Sequence, residues 1–437
     1  MNLKISNIGK IKTADITLNG ITIIAGDNNT GKSTVGKVLF GVFNSCYKID
    51  QYIENQKIIR LEREIETVIN THCQRNFDME DSFFEFNQIN SPRNRLKNRM
   101  LLNSLLENNN FSAVREYLTS ITPAYIMSNL DSIDSACEEI VRIIENLNNI
   151  PNENFRLARI NNFFNDIFDD QIINVSSSIG TVTANIAGGS FKAVFDEEKC
   201  INFSLDFKFN NNATFIRNPE ILDDTRPAIT KDLIDRDLST KLRTATRSDS
   251  FDVDRTIATD KLDKAYRLLN SAVKGHFSKN SPRSENSFLF SGMKKPIKIH
   301  NLSTGVKSFL ILKKLCENSV LCDKDVIILD EPEIHLHPEW QLLYAETLVA
   351  LQKEFNLTVL ITSHSPVFVR AIECYCDIYN RMDILDVYKT KQIDEFNYTL
   401  ENISYSEYGI SELYEDFSRP FEKLENLIDE KYGEEDF

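Results

Sequence analysis

A mixed α/β fold, in which a helix-flanked sheet carries a phosphate-binding loop, an antiparallel β subdomain and a large helical insertion, is predicted by three features of the sequence. The apolar run Ile21 to Ala25 ends in Gly26-Asp27-Asn28-Asn29-Thr30-Gly31-Lys32-Ser33, after which Val35, Val38, Leu39, Val42, Phe43 and Cys46 recur at helical spacing. That is a buried strand, a glycine loop and a helix with one packed face. Far along the chain, Val326 to Leu329, Glu339 to Phe355 and Thr358 to Thr362 read as strand, helix and strand, the βαβ unit of a parallel sheet. Between them, from about Tyr47 to Asp170, the pattern is almost wholly helical.

In chain order, residues 1–46 supply the first part of the phosphate-loop domain, with short strands at Leu3 to Ile5 and Ala14 to Leu18 ahead of the loop. Residues 47–170 form the helical insertion, broken at Ser91-Pro92 and at Asn148-Asn149-Ile150-Pro151-Asn152. In 171–231, strand signals at Thr181 to Ile186, Phe191 to Phe195, Ile201 to Phe209 and Ala213 to Ile216 are separated by Gly188-Gly189 and Asn210-Asn211-Asn212. They predict an antiparallel β subdomain. Residues 232–285 read as a polar helical and linker region with a loop at Ser281-Pro282, followed by a hairpin leading to His300. Residues 286–400 complete the phosphate-loop domain, and 401–437 form an acidic tail.

Composition narrows the class. Of the 437 residues 41% are hydrophobic and 26% charged, and no apolar run approaches the length of a membrane helix. Met1-Asn2-Leu3-Lys4-Ile5 enters a strand without a charged leader and apolar core, so a cytoplasmic location with no membrane partner is expected. The eight cysteines include no C-x-x-C pair and read as reduced thiols, mostly in the core. A formal charge of −15 argues against capture of nucleic acid by the whole surface. Twelve acidic and three basic residues between Glu401 and Phe437 place −9 of that charge in the tail, expected to be solvated, with partner docking or DNA mimicry as the alternative.

Four groups of residues carry the chemistry. In Gly26 to Ser33 the glycines let backbone N–H groups approach phosphate oxygens at a helix N-terminus. Asn28, Asn29, Thr30, Gly31, Lys32, Ser33 and Thr34 are the candidate nucleotide contacts: Lys32 would reach the β- and γ-phosphates of ATP, and the Ser33 hydroxyl would ligate Mg²⁺. Asp330 and Glu331 end an apolar strand at the sheet edge where nucleotide sites lie. Asp330 would hold the hydrated Mg²⁺, while Glu331, expected to point the opposite way by strand alternation, would orient and deprotonate the attacking water. Ser303 and Gly305 stand at the start of the helix running toward Leu315, where small residues suit a γ-phosphate or serve only as a cap. His364 follows the strand Thr358 to Thr362, beside the Asp330-Glu331 edge, where a histidine can hydrogen-bond a γ-phosphate.

The order of these groups, with Asp330-Glu331-Pro332-Glu333-Ile334-His335-Leu336-His337-Pro338 and Thr362-Ser363-His364-Ser365-Pro366, resembles the ABC-type ATPases of the SMC and OLD-like group. The resemblance covers about the first 46 residues and those from Ala213 to Asp383. It implies an ABC-type head in which Ser303 and Gly305 complete the nucleotide site of a second subunit, and Glu333 to Pro338 form the loop crossing between the two sites. The expected assembly is a homodimer or higher homo-oligomer formed through an ATP-sandwich interface. Thr304 and Val306 stand where ABC transporters carry glycine and glutamine, and the family's Q-loop glutamine is not placed, Gln88 and Gln171 both remaining candidates. OLD nucleases continue into a Toprim domain after the histidine, whereas 73 residues follow His364 and Asp383 and Asp386 lack that setting, so no nuclease activity is expected. This Toprim-free layout looks like the ATPases of bacterial anti-phage systems such as Septu and PARIS, which implies a separately encoded nuclease or toxin effector and a DNA or phage-derived trigger. Two other readings remain open: a DNA-repair or chromosome clamp using Arg93, Arg95, Lys97 and Arg99, and a slow nucleotide-locked scaffold holding an effector.

Overall fold

The computed structural model describes residues 1–72, 92–121, 133–209, 211–223, 232–243, 266–267, 269–278, 287–318, 320–404 and 409–432. Gln88 and Ser281-Pro282 lie outside them. The chain divides into two compact units, Met1–Tyr47 with Ile160–Phe437, and Lys48–Arg159.

The smaller unit is helical. It contains α2 (Ile49–His72), α3 (Pro92–Glu107), α4 (Phe111–Ile121) and α5 (Ile133–Asn149), while α1 (Lys32–Cys46) belongs to the other unit. Ile58, Leu61, Ile65 and Val68 recur every three or four residues on α2, and Ala136, Cys137, Ile140 and Ile144 do so on α5, so each helix buries one stripe in a shared core. Of the basic residues considered for DNA, Arg99 is exposed and its guanidinium donates to Asn55 Oδ1. The side chains of Arg93, Arg95 and Lys97 lie outside the described residues.

The larger unit is built on one sheet of eleven strands. These are β1 (Asn2–Ile8), β2 (Ile11–Thr17), β3 (Ile21–Ala25), β4 (Gly180–Ile186), β5 (Gly189–Phe195), β6 (Cys200–Leu205), β7 (Ala213–Ile216), β11 (Val326–Asp330), β12 (Thr358–Ser363), β13 (Leu385–Gln392) and β14 (Tyr398–Asn402), in the order β6-β5-β4-β1-β2-β14-β13-β3-β12-β11-β7. β13, β3, β12, β11 and β7 are mutually parallel. All five residues of β3, all four of β7 and the first four of β11 are buried, as expected of strands covered by helices on both faces. β1, β2, β4, β5 and β6 pair antiparallel, and β4 alternates buried and partly exposed residues along most of its length. A separate three-stranded sheet joins β8 (Gly275–Phe277), β9 (Ser287–Phe290) and β10 (Ile297–Lys298).

Ala213 to Ile216 departs from the sequence-based expectation. It is not part of the antiparallel subdomain but the parallel neighbour of β11, at the far edge of the sheet. The reason is local: Ala-Thr-Phe-Ile has no polar face to leave in water, and Asn44 on α1 clamps its start, donating Nδ2 to Ala213 O at 2.8 Å and accepting Ala213 N at 2.9 Å. Helices α6 (Asn152–Phe168), α7 (Leu233–Arg243), α8 (Thr304–Glu317), α9 (Pro338–Phe355) and α10 (Pro366–Ile378) complete the order before the C-terminus. Phe309 of α8 meets Trp340 and Tyr344 of α9 edge to face, ring centroids 5.7 and 5.1 Å apart.

The acidic tail is also more ordered than expected. Residues 398–402 are β14, and Ser411–Tyr432 form α11, anchored at its start by buried Leu413 and by an ion pair of Asp416 with Lys389. Gly433 to Asp436 lie outside the described residues.

Candidate nucleotide site

The glycine loop leaves β3 where the parallel register sets Ala25 beside Ser363 of β12, so the two strand ends carry their following residues to one edge. The same pairing sets Asp330 of β11 opposite Thr362. Gly31 has φ 90°, a left-handed conformation that favours glycine, and a Cβ there would stand 2.8 Å from Ile11 Cδ1. α1 begins directly after it with Lys32, so the helix N-terminus opens on the loop.

Lys32 is 4% exposed, and its ammonium donates to Gly26 O at 3.0 Å and Asp27 O at 2.7 Å. Its third neighbour is Glu331 Oε1 at 3.3 Å. Ser33 Oγ donates to Asp330 Oδ1 at 2.9 Å, and Thr362 Oγ1 donates to the same oxygen at 2.5 Å. Residues some three hundred positions apart are thus gathered on one side of the sheet. Asn29, Gly31, Lys32, Ser33, Thr34 and Glu331 line a cavity of about 410 Å³, a size suited to a nucleotide. Thr30 is buried and donates Oγ1 to Asp27 O at 2.8 Å, which shapes the loop from within, while Asn28 is exposed beside it.

Glu331 does not take its direction from strand alternation. β11 ends at Asp330, and Glu331 has φ 49°, a left-handed conformation that costs a non-glycine residue about 1–3 kcal/mol. Thr362 holds it there, accepting Glu331 N both at its carbonyl, 3.1 Å away, and at its Oγ1, also 3.1 Å away. One threonine therefore fixes the Asp330 carboxylate and the Glu331 backbone together. His364 Nδ1 lies 3.5 Å from Glu331 Oε1, so that oxygen stands between the lysine and the histidine.

Glu333 opens the loop that runs to Pro338. It is 3% exposed, and its Oε1 accepts Ser363 Oγ at 2.6 Å and His364 N at 3.0 Å, whereas Oε2 is buried with no hydrogen-bond partner. Its side chain therefore turns inward to hold the His364 segment, while Ile334, His335, His337 and Pro338 are exposed. Burial raises the Glu333 carboxyl above its ordinary value, against the opposing hydrogen bonds from Ser363 and His364. A raised acid favours the neutral form in the fold, so its contribution is full below about pH 4.5 and is lost as pH rises through the folded value. Glu333→Gln should accordingly gain thermal stability relative to the parent as pH is raised from 4.5. Melting curves of both chains up to about pH 8 check this, and a pH-independent difference would remove the assignment.

Ser303 and Gly305 are not in the cavity lining. Ser303 is exposed at the N-terminus of α8, where its side chain makes no capping hydrogen bond. Gly305 is buried with His335 O 3.0 Å from where its Cβ would stand, which places α8 tightly on the loop before α9. Gln171 lines the cavity. Sequence reasoning did not single out Thr362 for its hydroxyl, nor Lys10, Asn174 and Phe396. The parallel register that makes Thr362 a partner of Asp330 is the only signal for the first.

Asp330 and Ser33 supply two hard oxygen donors 2.9 Å apart, a set that fits Mg²⁺ shared with phosphate oxygens and water. Among the described residues no group of three or more His, Cys, Asp or Glu is gathered in a way that could hold a metal by itself.

A phosphate loop between a central parallel strand and a helix, with a carboxylate pair at the end of β11, separated from β3 by β12 alone, defines a P-loop nucleotide-binding protein. The family model for the AAA ATPase domain matches residues 1–369, and the chain belongs to that family: it is an ATP-binding ATPase. Solved structures similar to it include the SMC head domain from Thermotoga maritima, at 10% identity over 92% of this chain and 98% of that one, with TM-score 0.39. An SmcHead bound to the C-winged helix domain of ScpA matches at 9% over 93% and 97%, with TM-score 0.43. An Smc head domain with an extended coiled coil, bound to the C-terminal domain of ScpA derived from Pyrococcus furiosus, matches at 8% over 97% and 98%, with TM-score 0.42. No helix among the described residues is long and apolar enough to cross a membrane.

Proposed function

We propose that this ATPase works as an ABC-type head that closes on a second copy around ATP, and that hydrolysis reopens the pair. The carrying observation is the division of the site. Lys32, Ser33, Asp330, Glu331 and His364 are drawn together around the loop, whereas Ser303 stands exposed at a helix N-terminus that does not line the same cavity. A helix N-terminus with an uncommitted hydroxyl suits a phosphate, and only the loop of another copy would bring one to it. In this reading Lys32 binds the β- and γ-phosphates, with Asn28, Asn29, Thr30, Gly31 and Thr34 shaping the loop around them. Ser33 and Asp330 hold Mg²⁺, which would neutralise developing phosphate charge. Glu331 takes the proton of the attacking water, and His364 donates to the γ-phosphate and registers its loss.

The finer role proposed is that of a regulatory ATPase in bacterial anti-phage defence, in which closure of the heads controls a separately encoded nuclease or toxin in response to a phage-derived cue. It rests on the resemblance of Asp330 to Pro338 and Thr362 to Pro366 to that group of ATPases. Co-purification from the native host with a nuclease or toxin, and loss of protection against phage in a Glu331→Gln strain, are the expected results. Co-purification with recombination proteins instead would favour the chromosome-maintenance reading.

Shared sites have a direct test. Ser303→Arg and Lys32→Ala chains should each be inactive, yet a one-to-one mixture should recover roughly a quarter of the parent ATPase rate, because each mixed dimer keeps one whole site. A mixture as inactive as its components would end the composite-site reading.

A further inference from the structure

The cavity that contains the phosphate loop is also lined by Lys10, Val175 and Phe396, residues from the β1–β2 turn, the segment after α6 and the β13–β14 hairpin. Val175 is 91% exposed and Phe396 59% exposed. Both apolar side chains stand in water on backbone that is firmly tied. Asn174, next to Val175, is 1% exposed, donating Nδ2 to Gly9 O at 2.6 Å and to Asn397 Oδ1 at 2.7 Å, while its Oδ1 accepts Ser176 N at 2.9 Å and Ser176 Oγ at 2.5 Å. Asn397, next to Phe396, is 5% exposed and donates to both oxygens of Asp394 at 2.9 Å. Asp394 Oδ1 also accepts Phe396 N and Asn397 N, each at 3.0 Å, and Tyr398 N donates to Lys10 O at 2.9 Å. Lys10 in turn reaches the phosphate loop, its ammonium donating to Asn29 O at 3.1 Å.

A polar network centred on the buried Asn174 and Asn397 thus joins three chain segments and, through Lys10, the loop, and holds an aromatic ring and a branched side chain at the rim of one cavity. Such a network specifies a geometry rather than adding bulk stability. The cavity asks for a ligand that is polyanionic at one end and flat and apolar at the other. We infer that Phe396 and Val175 form the nucleobase subsite of this ATPase, Phe396 packing its ring on the purine and Val175 covering an adjacent part of it. The inference rests on the reading of the loop as a triphosphate site, and adds the residues that recognise the rest of the nucleotide. Stacking of a base on an aromatic ring tolerates any purine, because every base presents a π-face.

Calorimetric titration of the full-length chain with two probes in the presence of magnesium, ATP and inorganic tripolyphosphate, separates the two ends of the site. Phe396→Ala should weaken ATP about tenfold or more and leave tripolyphosphate unchanged. Phe396→Trp, which restores a stacking face, should bind ATP at least as well as the parent. An alanine variant that binds ATP as tightly as the parent overturns the inference, as does one that loses both probes equally. Failure of the parent to bind either probe would instead remove the triphosphate reading beneath it.

Discussion

Lys32→Ala should lose nucleotide affinity by about two to three orders of magnitude, or about 3–4 kcal/mol, the loss expected when one charge-assisted donor to two phosphates is removed. The structure gives the lysine more than one duty. The residue is 4% exposed and its ammonium satisfies two loop carbonyls and one carboxylate oxygen, so the alanine variant leaves Gly26 O, Asp27 O and Glu331 without their cation. Part of the loss will therefore come from a loosened loop, and unpaired buried groups cost about 1–3 kcal/mol of stability each. Calorimetric titration with ATP, beside melting curves taken without nucleotide, separates the two effects. An alanine variant that binds ATP within threefold of the parent would take Lys32 out of the site.

The readable part of this molecule is the part that is local in sequence. A glycine loop between an apolar strand and a helix announces itself within twenty residues, because the backbone freedom at Gly26 and Gly31 and the buried face of α1 leave a dense pattern. Val326 to Leu329 and Thr358 to Thr362 were legible for the same reason, being apolar runs too short for helices. Pairing is different. Nothing in Ala213 to Ile216 says whether its neighbour is β6 or β11, and the choice is made by burial on both faces together with the Asn44 clamp.

The site divides in the same way. Lys32, Ser33, Asp330 and Glu331 are visible from residue type and strand position, but the conformation of Glu331 is not, because strand alternation stops one residue earlier and Thr362 imposes a left-handed turn. Glu333 was legible as a loop residue, yet its inward turn depends on Ser363 and the His364 amide, thirty residues away. Phe396 is the extreme case. Its place at the cavity rim is set by Asn174 and Asn397, 223 positions apart, and no spacing rule connects them.

Glu331→Gln should bind ATP at least as tightly as the parent while turning it over about 10²–10⁴-fold more slowly, the usual contribution of a positioned general base. The first half follows from the geometry around Lys32. Glu331 Oε1 lies 3.3 Å from the ammonium and competes with any incoming anion for it, so neutralising the carboxylate removes a competitor and a repulsive charge at once. The second half follows from chemistry, since a carboxamide keeps the size and the backbone hydrogen bonds to Thr362 but has no basic oxygen of comparable strength. With binding intact and hydrolysis blocked, the closed dimer should accumulate on addition of ATP. Light scattering behind a sizing column would show the doubled mass. His364 Nδ1, 3.5 Å from the same oxygen, gives an internal comparison: His364→Ala leaves the base in place and should slow turnover less than Glu331→Gln does. Equal ATPase rates in the parent and the glutamine variant would transfer the base to another group and leave Glu331 as a partner of Lys32 alone.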